Sequence, residues 1–149
     1  MAVSIEQFAR ELKAFPERKE LVKQLRSEMR KPIPAVRKKI KRRALTTLPR
    51  TGGLNRWAAG TRITAKVEIG GSRVRVTLKG NRNSQGGVSD LRALDRGRVR
   101  HPSWGRRGRG QWHTQRVTEG FFTAPAVEFD QWRAACLAAL DKALETIRG

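Results

Sequence analysis

Two runs of strictly alternating residues dictate most about how this chain folds. In "RITAKVEI", Ile63, Ala65, Val67 and Ile69 alternate with Arg62, Thr64, Lys66 and Glu68. After "GGS" comes "RVRVTLK", where Val74, Val76 and Leu78 alternate with Arg73, Arg75, Thr77 and Lys79. A period of two puts one set of side chains on each side of a strand. The pair reads as a hairpin with one dry face and one wet, basic face. Two strands alone are marginal in water, so more strands or a helix must cover the dry face.

Helical patterns flank the hairpin. Ser4 and Gln7 have the spacing of a capping box, and Ile5, Phe8, Leu12 and Phe15 follow on one helix face. Pro16 restarts the helix as a first-turn residue. Leu21, Val22, Leu25 and Met29 continue the stripe until Pro32 and Pro34 break it. A third helical piece carries Val36, Ile40, Ala44 and Leu45 and ends before Pro49. "TGGLNRWAAG" is a glycine-flanked short helix or loop, and "GNRNSQGG" is polar and glycine-rich, which predicts a mobile loop. "SDLRALDRG" predicts a short helix capped by Ser89 and stopped by Gly97. "RVRH" and "TQRVTEGFF" are candidate strands. At the C-terminus, Thr123 is the expected cap and Pro125 sits in the first turn. Phe129, Trp132, Cys136, Leu140, Ala143 and Ile147 then form one stripe of a helix of roughly 23 residues, about 35 Å long.

These elements give an α+β protein: a small antiparallel sheet packed by N-terminal helices and one long C-terminal helix. The hairpin and strands near 98–101 and 113–122 are expected to share that sheet. Residues 1–149 are expected to form a single domain, with 1–48 as a basic helical arm.

Charge narrows the function. Lys and Arg number 33 against 13 Asp and Glu, a net charge of +20. A free chain of that charge repels itself and attracts polyanions, so nucleic acid or an acidic protein is the expected neighbour. From Arg30 to Arg50 the sequence holds Arg30, Lys31, Arg37, Lys38, Lys39, Lys41, Arg42, Arg43 and Arg50 with no acid among them. This run reads either as a solvated helix face or as a surface for phosphate or an acidic partner. A second acid-free segment, "HPSWGRRGRGQWHTQRV", contains the loop "GRRGRG" with Arg106, Arg107 and Arg109. Arginine forks match phosphate oxygens. Trp104 and Trp112 either stack on bases or anchor the loop ends, and aromatics beside glycine turns favour anchoring. Lysine is absent between Lys79 and Lys142, which reflects either arginine's pairing geometry or a G+C-rich genome.

Catalytic and metal chemistry find little support. His101, His113 and Cys136 do not form a spaced ligand cluster. Ser103 near His101 does not make a triad. Glu68, Asp90, Asp95 and Glu119 are scattered, whereas a metal-dependent nuclease needs convergent carboxylates. No enzyme activity, metal or cofactor is expected. A single cysteine precludes an intrachain disulfide. The N-terminal residues do not read as a signal peptide, and the run "AACLAAL" is too short to cross a membrane. The expectation is a soluble intracellular or virion protein that engages no membrane. No helix-turn-helix, zinc-finger or RNA-recognition pattern is present, so any DNA contact should be to the backbone.

One ordered set of residues resembles a known family. "GGLNRWAA", a hairpin, His101-Pro102-x-Trp104-Gly105, Trp112-x-x-Gln115, Gly120-Phe121-Phe122 and a long final helix resemble the tail-completion and neck proteins of phages with long non-contractile tails. The segment "LPRTGGLNRWAA" looks particularly like actinobacterial phage or prophage members. The likeness covers about residues 45 to 148. Where the family often has Phe before the glycine, this chain has Trp104. The resemblance implies a structural component of the virion at the head–tail junction, assembled in the bacterial cytoplasm. It would form a homo-oligomeric ring, meet other neck and tail proteins, and surround genomic double-stranded DNA without reading its sequence. It implies no catalytic residues. His101, Pro102, Trp104, Gly105, Trp112 and Gln115 would be a structural turn. Arg37, Lys38, Lys39, Lys41, Arg42, Arg43, Arg106, Arg107 and Arg109 would face the DNA channel or a partner. The competing reading is a stand-alone basic protein that binds nucleic acid through phosphate contacts.

Overall fold

The computed structural model describes residues 10, 13–70, 73–81, 91–102 and 112–148. The expected Ser4–Gln7 and Ser89 caps, the Gly71–Ser72 turn and the polar loop beyond Asn81 lie outside these. In order, the elements are α1 (Arg18–Arg30), α2 (Ile33–Thr47), a 3-10 turn (Thr51–Gly53), α3 (Leu54–Ala59), β1 (Arg62–Gly70), β2 (Arg73–Asn81), α4 (Leu91–Asp95), β3 (Arg98–Pro102), β4 (Trp112–Arg116), α5 (Thr123–Ala126) and α6 (Phe129–Arg148). The class is α+β, as the periodicities imply. The strands fall into two separate ribbons, β1–β2 and β3–β4, where one sheet was expected. Instead of continuing to residue 122, β4 stops at Arg116, because Phe121 turns inward to full burial.

The chain divides into two compact units. One takes in Met1–Pro34, Ala65–Leu78 and Glu128–Gly149, the other Ala35–Thr64 and Lys79–Val127. In the first, Leu21, Leu25 and Met29 recur every four residues along α1 and are buried with Ile33, Val67, Ala139 and Ala143. The alanines at 139 and 143 lie one turn apart on α6, and small side chains there let α1 and α6 pack closely. Ala65, Ile69 and Val76 from the dry face of the ribbon close over this cluster, joined by Trp132, Cys136, Leu140 and Ile147. Burial pushes the Cys136 thiol up from its ordinary value, so this lone cysteine is a core filler with little thiolate character.

Glu28 ties α1 to α6. Its carboxylate, 14% exposed, pairs with Lys31 on its own helix and accepts a hydrogen bond from Lys142 Nζ at 3.2 Å. Those hydrogen bonds hold its pKa below the usual carboxylate value.

The second unit buries Val36, Ile40, Ala44 and Leu48 of α2 and its C-terminal extension, with Ala58, Ile63, Leu94, Val99 and Phe121. The stripe passes through Ala44 and Leu48, so Leu45, expected on it, is instead 43% exposed. Thr46 and Thr47 hydroxyls donate back to the carbonyls of Arg42 and Arg43 and help satisfy the last turn. Buried Asn55 adds an amide bond to Leu45 O at 3.5 Å, and its own carbonyl accepts from Arg56 N at 2.8 Å.

The C-terminal helix differs from the expected continuous one. A single turn, α5, precedes it, and Val127 leaves helical geometry (φ −100°, ψ 19°) before α6 starts at Phe129. The break falls where the chain passes from one unit to the other: Pro125 is buried in the second, while Ala139 and Ala143 are buried in the first.

Two outcomes follow from this packing. A Cβ at Gly80 would stand 2.9 Å from the Phe122 ring and 3.1 Å from Thr61 Cγ2. Gly80→Ala should cost about 1 kcal/mol or more in urea unfolding, and less in a Phe122→Leu background, where the ring is gone. For Glu28, a depressed folded pKa means the stabilisation is complete above the ordinary value of 4.5 and is lost as pH falls through the folded value. Wild type should therefore exceed Glu28→Gln in thermal stability at neutral pH, and the two melting curves should converge in strong acid.

Candidate functional site

The basic run expected between Arg30 and Arg50 is mostly α2. Its buried stripe fixes which cations face outward. Lys38, Lys41 and Arg42 are exposed, while Arg37, Lys39 and Arg43 are half-buried beside the apolar face. Lys38, Lys41, Arg42 and the exposed Leu45 share the spacing of one helix stripe. Like charges three and four residues apart oppose helix formation by about 0.2–0.5 kcal/mol each. The six cations expected to act together are thus divided, three on the stripe and three partly inside. Two of the latter, Arg37 and Arg43, have buried Nε atoms without a hydrogen-bond partner.

Arg43 leads to an open cleft of about 640 Å³ lined by Arg43, Arg92, Asp95, Arg96, Glu119, Gly120, Thr123 and Ala124. Asp95 builds its wall. The carboxylate accepts hydrogen bonds from Phe122 N at 2.8 Å and Thr123 N at 3.2 Å, and the Asp95 carbonyl accepts from Gly120 N at 2.7 Å. Asp95 therefore supplies the start of α5 with the cap expected from Thr123. Its partners lie 27 and 28 residues away in sequence, so no local pattern announces this role.

Beyond the cleft, the β3–β4 ribbon carries the expected structural motif. Its register pairs Arg98 with Arg116, Val99 with Gln115, Arg100 with Thr114, His101 with His113 and Pro102 with Trp112. His101, Pro102 and Trp112 thus stand at the ribbon's far end, away from Gly97. Trp104, Gly105, Arg106, Arg107 and Arg109 lie outside the described residues. Gln115 is on the strand and exposed.

The register also assembles a group that the sequence reading missed. Arg98, Arg100 and Arg116 are all exposed and lie on one face, with Arg98 and Arg116 directly opposite. The other face holds Val99, 8% exposed, which pins the ribbon to the core. The alternation in "RVRH" already placed Arg98 and Arg100 together, but Arg116 joins them only once the pairing is known. At the ribbon's foot, Gly97 adopts φ +77° and accepts Val117 N at 2.9 Å, which aligns the two strands at their base. A side chain there would meet the Val117 carbonyl oxygen at 2.9 Å, so glycine is required.

Elsewhere, Glu20 pairs with Lys23, and Glu28 with Lys31 and Lys142. Glu68 accepts from Lys66 Nζ at 2.6 Å, and that bond, aided by nearby Arg75, holds its pKa below the usual range. Among the described residues, no three His, Cys, Asp or Glu side chains gather as metal ligands do, and no helix is long and apolar enough to cross a membrane. Comparisons of the chain with protein-family models, curated proteins and solved structures return no match.

Because the Asp95 carboxylate satisfies two backbone donors, Asp95→Ala should lower unfolding free energy by about 1–2 kcal/mol. Hydrogen exchange should locate the loss at the amides of Phe122 and Thr123.

Proposed function

We propose that this protein is a structural component of a phage virion at the head–tail junction, a tail-completion or neck protein that assembles as a ring around the DNA channel and joins tail to head. The observation that carries the reading is a surplus of cations set on exposed surfaces with few acids to oppose them. Lys38, Lys41 and Arg42 crowd one stripe, and Arg98, Arg100 and Arg116 crowd another. Such a charge distribution suits a subunit whose neighbours and enclosed polyanion neutralise it. The ordered motif from His101 to Phe122 adds the likeness to neck proteins. A channel subunit has to let the genome pass, so its phosphate contacts should be weak per subunit and indifferent to sequence.

A second reading, a stand-alone nucleic-acid-binding protein, is favoured by the arginine face of β3–β4. The two diverge in solution. A neck subunit should form ring-sized oligomers, alone or on isolated tail tubes, and a tag on it should appear at the head-proximal end of the tail in electron micrographs. Native mass measurement at low and physiological salt, with and without tubes, decides between them. A persistent monomer that binds one DNA sequence tightly and ignores tail tubes would overturn the neck assignment.

A further inference from the structure

We infer that the arginine face of the β3–β4 ribbon, made by Arg98, Arg100 and Arg116, is the surface that meets the nucleic-acid phosphate backbone, in preference to the basic stripe of α2. The neck reading supplies the polyanion, duplex DNA, and the inference adds which residues touch it.

Three observations support it. First, the ribbon is acid-free from Arg98 to Val117. The acids that flank it in sequence, Asp95 and Glu119, both line the cleft at its foot, and Asp95 is occupied with the backbone of Phe122 and Thr123. Second, Arg98 and Arg116 oppose each other directly. Like charges at such a pair destabilise an antiparallel ribbon. A phosphate between two guanidinium groups turns that repulsion into attraction, so the pair gains when a polyanion docks and is a burden otherwise. Third, the spacing fits. Arg98 and Arg100 are two residues apart on one face, about 6.7 Å along the strand, and phosphates along one DNA strand advance about 3.4 Å each along the helix axis. Once the helical twist is added to that rise, adjacent phosphates of one strand lie about 7 Å apart in space, so the two guanidinium groups match adjacent phosphates.

The chemistry separates the ribbon from α2. The cations of the ribbon face are all arginine, whose planar fork engages phosphate oxygens in a bidentate manner. The stripe on α2 is mainly lysine and ends in an exposed leucine, Leu45, a mixture better matched to a protein surface. Arg98, Arg100 and Arg116 are exposed on a narrow two-stranded element of a kind that a DNA groove admits.

The test uses the full chain and fluorescein-labelled duplexes of two unrelated sequences, read by anisotropy from 50 to 200 mM NaCl. The variant R98Q/R100Q/R116Q is compared with K38Q/K41Q/R42Q, which removes the same charge. Expected is a loss of roughly tenfold or more in DNA affinity at 50 mM salt for the ribbon variant. The slope of log K against log salt should shrink by about 3. Both duplexes should respond alike, and the stripe variant should lose distinctly less. Equal losses from the two variants, or a greater loss from the stripe, overturn the inference. Labelled poly-glutamate serves as a second probe: if the ribbon variant loses poly-glutamate binding and keeps DNA binding, the ribbon is an acidic-protein contact and the inference falls. Should the triple variant misfold, phenylglyoxal footprinting of the wild type stands in. Duplex DNA should protect Arg98, Arg100 and Arg116, and unchanged labelling of all three refutes the claim. Oligomer mass measured on the same samples keeps the two conclusions apart. Ribbon-dependent binding by a chain that never forms rings leaves this inference intact and removes the neck assignment. Rings that bind DNA independently of the ribbon do the reverse.

Discussion

Repulsion among cations constrains this molecule more than any single contact. With 33 basic and 13 acidic side chains, the chain has too few carboxylates to pair its positive charges. Where the acids are placed therefore matters. Glu28 bridges two helices through Lys31 and Lys142. Glu68 answers Lys66 beside Arg75. Asp95 is used against backbone amides. Each supports local architecture, and none is spent on the stripe of α2 or the face of β3–β4. The stripe and the ribbon face are surfaces that hydrophobic burial elsewhere obliges to be exposed.

The apolar pattern makes that segregation possible. Val36, Ile40 and Ala44 turn inward every four residues, so Lys38, Lys41 and Arg42 have nowhere to go but out. On β3, the single buried Val99 fixes the side on which Arg98 and Arg100 lie. The same few residues that anchor an element thereby orient its charge. Like charges facing each other across a ribbon and along a helix subtract from stability in the isolated chain, and contact with a polyanion would remove that cost.

Much of this was legible in the sequence. The hairpin declared itself by its period of two, α1 by Leu21, Leu25 and Met29, and α6 by the stripe from Trp132 to Ile147. Each of these signals is local: side chains a few residues apart share a face whatever surrounds them. What escaped the reading depends on long-range choices. The two-ribbon arrangement follows from which strand finds which partner. Leu45 lost its place to Leu48 because the second unit's core extends beyond the helix end. The break at Val127 follows from a boundary between cores. Arg116 entered the basic face only through the register with Arg98, and the Asp95 cap through partners far along the chain. His101, Pro102 and Trp112 were singled out in the sequence, and the pairing alone places them at one end of a ribbon.

The foot of β3–β4 is fastened twice, by Gly97 O to Val117 N and by Asp95 to the amides of Gly120, Phe122 and Thr123. Those fastenings bring together two points of the chain separated by the entire ribbon and its connection, so the entropy of closing that excursion is met at its base. Beyond the clasp, Val99 is the one buried side chain among the described ribbon residues. Insertions, deletions or new side chains in the arm would alter its reach and its chemistry while Phe121 and Leu94 stay packed underneath. In evolutionary terms the clasp would let the exposed side chains of this arm be exchanged while the body beneath keeps its packing.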